Sequence, residues 1–110
     1  MEITNAKIKD VTVCFDDWGQ LSVMMSFYPL HGCYNWHSLL KNPDNVQRLT
    51  KLMTYTESNE LSDLNGKIIR IVKFKNAFCG FGHLIEDKFV PCLIHNFKEV
   101  SKLEFEEILK

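Results

Sequence analysis

Four residues in the C-terminal third, Cys79, His83, Cys92 and His95, are of the types that hold zinc. Two thiolates and two imidazoles make a usual tetrahedral set for that ion. Their spacing argues against it. Cys79 and His83 stand four apart on what reads as one strand, so they share a face yet lie ~13 Å apart at strand rise. Cys92-x-x-His95 has workable spacing only on a turn. The plainer reading is two buried thiols and two histidines satisfied by hydrogen bonds. A second group, His31, Cys33 and His37, lacks a fourth ligand. No metal is favoured, and no cofactor is expected.

Nucleophilic catalysis needs a thiolate, a base and an orienting group, and no local signature surrounds any cysteine here. Asp16-Asp17 reads as a turn, and Glu104, Glu106 and Glu107 read as a solvated helix face. The expectation is therefore a protein that is not an enzyme. Binding chemistry is better represented. The run from Lys67 to Lys75 carries Lys67, Arg70, Lys73 and Lys75 without an acid. It suits phosphates or an acidic partner surface, or equally an edge strand guarded by lysines. Trp18, Tyr34, Trp36, Phe78 and Phe81 fall in or beside turns, where large rings anchor interfaces, stack on bases or cover a small core.

The whole chain sets limits. Its 110 residues make one domain with one modest core. The net charge of −1, from 13 basic and 14 acidic side chains, argues against a general nucleic-acid coat or a polybasic membrane anchor. No apolar run approaches the ~20 residues of a membrane helix. Met1–Asp10 lacks the apolar middle of a signal peptide, so a cytoplasmic location is expected, with the four cysteines as free thiols, core residues or metal ligands rather than disulfides.

The elements that must position these groups follow from periodicity. Ile3–Phe15 reads as a strand whose apolar phase flips at Lys9-Asp10, which implies a bulge. Asp16–Gly19 turns it into a second strand, where Leu21, Val23, Met25 and Phe27 alternate with Gln20, Ser22, Met24, Ser26 and Tyr28. Cys33–Leu40 suggests a third strand, with Tyr34 and Trp36 on one side. Asn42-Pro43-Asp44 starts a helix that ends near Tyr55, with Val46, Leu49, Leu52 and Met53 inside and Gln47, Arg48 and Lys51 outside. Leu61 and Leu64 tuck under it. Lys67–Lys75 and Phe78–Ile85 form a hairpin turning at Asn76-Ala77. Gly80 and Gly82 mark a bulge or a close backbone approach. Phe89 and Val90 resume apolar character until Pro91. Ser101–Lys110 is a last helix, with Ser101 and Glu104 as a capping box, Val100 and Phe105 as its staple, and Leu103, Ile108 and Leu109 docking it. The expected fold is a single α+β domain over residues 1–110: a mainly antiparallel sheet of about five strands, one central helix and one C-terminal helix.

Three stretches in this order resemble a family of small phage and prophage accessory proteins. Asp16-Asp17-Trp18-Gly19 resembles that family's E-D-H-G turn, without its histidine. Leu61-Ser62-Asp63-Leu64-Asn65-Gly66-Lys67 resembles its W-x-D-L-x-G-K connection. Gly82-His83-Leu84-Ile85-Glu86-Asp87-Lys88-Phe89 resembles its closing G-H-x-x-x-D-K-W-F motif. His31–His37 stands where the family has a glycine-rich strand, and the C-terminal helix is an addition. The resemblance implies an accessory protein that acts against host defence, either by occluding a CRISPR-type effector or by sequestering a cyclic nucleotide signal between the subunits of a homo-oligomer. It supplies no catalytic residue. Combined with the residues themselves, it puts a binding surface at Trp18, Trp36 and Phe81, helped by Arg70 and Lys73. A small zinc-stabilised structural module is the remaining alternative.

Overall fold

The first strand, β1 (Glu2–Phe15), does two jobs in sequence. Its first half pairs with β4 (Ile68–Phe74), from Glu2 opposite Lys73 to Lys7 opposite Ile68. Its other edge pairs with β2 (Leu21–Tyr28) along most of its length. The register against β2 slips between Lys9 and Thr12, and Asp10 takes a left-handed backbone with φ 58°. This is the bulge that the phase flip predicts. Before it Ala6 and Ile8 face the core; after it Val13 lies opposite the fully buried Val23. Aspartate is among the few residues that adopt this conformation cheaply.

The computed structural model describes residues 1–110 and completes the sheet with β3 (Tyr34–Leu39), β5 (Ala77–Gly82) and β6 (Phe89–Pro91). The order is β3-β2-β1-β4-β5-β6, antiparallel throughout. The class is α+β as expected, with six strands rather than about five. The sheet curls into a half-barrel, bringing Phe78 of β5 into a stacked contact with Phe27 of β2 at 5.0 Å. The β4–β5 turn falls one residue earlier than expected, at Lys75-Asn76, both with positive φ, as a tight hairpin turn requires. β5 ends at Gly82 rather than Ile85.

The concave side holds the main core. Ile8, Val23, Phe27, Ile69, Ile71 and Phe81 meet Leu49 and Leu52 of α1 (Pro43–Tyr55) and Leu64 of a 3-10 turn at Leu61–Leu64. Asn42 caps α1 through its side chain, which accepts from Asp44 N–H. A second core lies on the convex side of β4–β6. There Val72, Cys79 and Phe89 meet Val100, which bridges to Phe89 ahead of the last helix, and Phe105 of α2 (Lys102–Ile108), whose Ser101/Glu104 capping box is formed. Ile108 and Leu109 dock as expected, whereas Leu103 is exposed. Gly80 and Gly82 are needed for close approach: a Cβ at Gly80 would strike Val90 O and the Phe105 ring, and one at Gly82 the Phe89 ring.

Arg48 corrects the helix-face reading. It is 4% exposed, not outside, while Val46 of the supposed inner face is exposed. Its guanidinium donates to the carbonyls of Ile94 (2.5 Å) and His95 (3.1 Å) and to Asn45 Oδ1 (2.8 Å). Asp44 Oδ1 accepts from Phe97 N–H at 2.8 Å, and Lys51 pairs with Glu99 at 3.5 Å. These contacts staple the irregular segment before α2 onto α1. Truncation of Arg48 strands two partly buried loop carbonyls, at a cost of up to ~1–3 kcal/mol for each group left unsatisfied. Arg48→Ala is therefore expected to lower stability by about 2–4 kcal/mol in urea denaturation. A loss below about 0.5 kcal/mol would mean that the staple is dispensable.

Candidate functional site

The five residues singled out for binding divide sharply. Trp18, at the β1–β2 turn, is 86% exposed. The turn is held by Asp16, whose Oδ1 accepts from Trp18 N–H and Gln20 N–H, both at 2.9 Å. Trp36 and Phe81 are not surface anchors. Trp36 is 8% exposed and Phe81 is fully buried, with ring centroids 5.7 Å apart. The curl of the sheet carries both rings to the concave side, where α1 covers them.

Arg70 and Lys73 are already occupied. Arg70 donates through Nε to His83 O and through an Nη to Glu86 O (2.6 Å), and its guanidinium lies over the Phe89 ring at 4.7 Å. Lys73 pairs with Glu2 at 3.0 Å and lies 5.3 Å from the centre of the Tyr34 ring. The Glu2 carboxylate holds the Lys73 amine above its ordinary value. Both cations tie the fold together.

Cys79, His83, Cys92 and His95 do not converge, and no cluster of three or more His, Cys, Asp or Glu side chains has metal-holding geometry anywhere in the chain. That holds also for His31, Cys33 and His37. The Cys79 thiol donates to Val72 O at 3.3 Å, and Cys92 Sγ lies 3.8 Å from Val90 O. Burial pushes the Cys79 thiol up to about 11 and the Cys92 thiol up to about 12. His83 Nδ1 accepts from Ile85 N–H (3.0 Å) and Glu86 N–H (2.9 Å), which leaves the ring proton on Nε2. The stretch that carries the closing-motif resemblance is thus a built turn. His83 nucleates it and Arg70 ties its carbonyls. Asp87 accepts from Lys102 N–H at 2.7 Å, at the start of α2. Tyr55 packs edge-on against His83 and donates to Glu99, and burial with that carboxylate holds its hydroxyl well above the ordinary phenol range.

The residues brought together at the surface are others. Beyond the bulge, β1 and the turn into β2 run along the open margin of the core as an arm, with β2 itself still paired to β3. Phe15 is 72% exposed, and Val13, Leu21 and Trp18 are exposed with it. Val13 pairs with Val23 and Phe15 with Leu21, so Val13, Phe15 and Leu21 lie on the core-facing side of the sheet, at the margin of a core that covers Val23 and leaves them exposed. All three exposed aromatic residues, Phe15, Trp18 and Tyr28, belong to this hairpin. From Asp10 to Leu40 the chain has three aspartates and no lysine or arginine, so the arm is apolar and acidic. Phe15, Val13 and Leu21 escaped the sequence reading because alternation marks a strand face without telling where the core ends. The surface depressions are open to solvent; one between Tyr55, Lys67 and His83 has the exposed Ile85 on its rim. No helix is long and apolar enough to cross a membrane.

The chain matches no protein-family model, no curated protein and no solved structure.

Two measurements check the thiol geometry. Alkylation of the folded protein should modify the exposed Cys33 while Cys79 and Cys92 resist until it is denatured. Folding keeps those two thiols neutral. Their contribution is whole below pH 9, the ordinary thiol value, and is lost as pH rises toward 11 and 12. The melting temperature should therefore fall across that window, and less steeply in Cys92→Ala. Equal slopes would contradict the burial of Cys92.

Proposed function

We propose that this chain is a non-enzymatic binding protein that works by occlusion, seating the β1–β2 arm on a functional surface of another protein. The observation that carries this reading is the arm itself. It concentrates Val13, Phe15, Trp18 and Leu21 in solvent, while the other phenylalanine, tyrosine and tryptophan rings, Tyr28 of the same hairpin apart, are buried or half-buried. Exposed aromatics clustered on a rigid element are what interface hot spots are made of. The chemistry elsewhere is spent on folding: thiols on carbonyls, His83 on a turn, Arg70 and Lys73 on internal partners.

The partner class comes from the resemblance to phage accessory proteins. On that basis the partner is a host defence protein of the CRISPR-effector type, met in the host cytoplasm. The acidic arm supports this choice, since a protein that handles nucleic acid presents a basic surface that an apolar, acidic finger can cover. The site residue retained from the sequence is Trp18, joined by Val13, Phe15 and Leu21. A cyclic-nucleotide sponge would need free cations near exposed rings, and both Arg70 and Lys73 are engaged. A zinc-stabilised module has no convergent ligand set to support it.

The test is a plaque assay on host cells with an active CRISPR-type defence that targets the infecting phage. Expression of this chain should restore plaques. Phe15→Ser with Trp18→Ser should weaken partner binding ~30-fold or more, at ~2 kcal/mol for a hot-spot residue, and abolish protection. Trp36→Phe should leave protection intact if the fold holds. Undiminished protection by the double variant would overturn the site, and no protection by the natural chain would overturn the partner class.

A further inference from the structure

The arm has an unpaired main-chain edge as well as exposed rings. β4 stops pairing with β1 at Lys7. Three further bonds continue that side: Ile8 N–H donates to Lys67 O, Gly66 N–H to Ile8 O, and Val11 N–H to Asn65 Oδ1. Past Val11 no strand pairs with β1 on that side. The direction of the groups beyond is fixed by the ladder. Leu40 N–H donates to Leu21 O, so Leu21 faces β3 with its main chain, and by alternation so does Val23. Their β1 partners Phe15 and Val13 therefore turn their N–H and C=O groups outward, while Thr12 and Cys14 bond to β2. Asp16 N–H to Gln20 O continues the same alternation.

An exposed edge of this kind is normally blunted by lysine, proline or a covering element. Here the outward pair, Val13 and Phe15, is apolar and carries no such guard. We infer that the free edge of β1 at Val13 and Phe15 binds an extended segment of a partner protein by strand addition, and that this segment is apolar with basic flanks. Main-chain donors and acceptors at strand spacing recognise another strand. The flanks follow from charge: Asp10, Asp16 and Asp17 bracket the edge, and Glu60 and Asp63 lie on or beside the 3-10 turn that contacts β1. A second copy of the chain is disfavoured by the same charges. Antiparallel self-pairing of Val13 on Val13 sets Asp16 of each copy opposite Asp10 of the other. This inference rests on the arm being the binding surface and specifies how that surface binds.

The experiment uses the isotope-labelled protein and two synthetic peptides of alternating valine and threonine, one with paired lysines at each end and one with paired glutamates. The lysine-flanked peptide should shift the amide signals of Val13 and Phe15, and the glutamate-flanked one should bind at least ~10-fold more weakly. Val13→Pro removes an outward donor that the hairpin does not use, a position where an edge strand tolerates proline. It should lose the peptide by ~10-fold or more with the circular dichroism spectrum unchanged. Phe15→Lys leaves the main chain intact, repels the same peptide, and carries the test if Val13→Pro does not fold. Equal binding by these variants, equal binding of the two peptides, or no shift with either peptide overturns strand addition. The plaque assay with Phe15 and Trp18 replaced then judges the arm separately. A concentration-dependent dimer in sedimentation that Val13→Pro abolishes would overturn the choice of occupant in favour of a second copy.

Discussion

The bulge at Asp10 is the constraint on which the rest of the molecule depends. One left-handed residue changes which side of β1 faces the core. Before it, Ala6 and Ile8 feed the concave core and β4 pairs alongside. After it, the strand keeps its partner β2 but has left β4 behind, and its apolar residues emerge over open solvent. Without the extra residue, Val13 and Phe15 would exchange faces with Thr12 and Cys14, and the apolar stripe would disappear from that side. The bulge thus turns Val13 and Phe15 to the core-facing side, and the end of β4 leaves them uncovered beside a free edge.

The remainder of the fold holds that arm on a rigid base. The sheet curls around Phe27, Phe81 and Trp36 on one side, and α2 closes the second core on the other. Between them runs the irregular segment from Cys92 to Glu99, which has no helix or strand ladder of its own. It is fixed to α1 through Arg48, Asp44, Lys51 and Tyr55. A buried arginine facing carbonyls rather than a carboxylate is worth keeping only where several acceptors need a donor at once. The Ile94 and His95 carbonyls supply that need.

Much of this was legible in the sequence where the signals are local. The phase flip at Lys9-Asp10, the alternation in Leu21–Tyr28, the Asn42-Pro43-Asp44 start and the Ser101/Glu104 box each specify structure within a few residues, and each is found. The glycines at 80 and 82 announced a close approach, and rings lie against both. What was not legible depends on tertiary contact. The parity of Trp36 was right, but only the curl of the sheet decides that its side is the buried one. Arg48 looked solvent-facing because its acceptors lie more than forty residues away on an irregular segment. Trp18 was legible as exposed because a tight turn leaves no room to bury an indole. Phe15 was not, since its exposure follows from where β4 stops, which no residue of β1 encodes.

The central claim, that β1 beyond the bulge offers an unoccupied edge, is tested most directly by hydrogen exchange of individual amides in the free protein. Thr12 and Cys14, bonded to β2, should exchange slowly, while Val13 and Phe15 between and beyond them should exchange at near-solvent rates. Slow exchange at Val13 and Phe15 in the free protein would contradict the account, because it would mean that the edge is already covered.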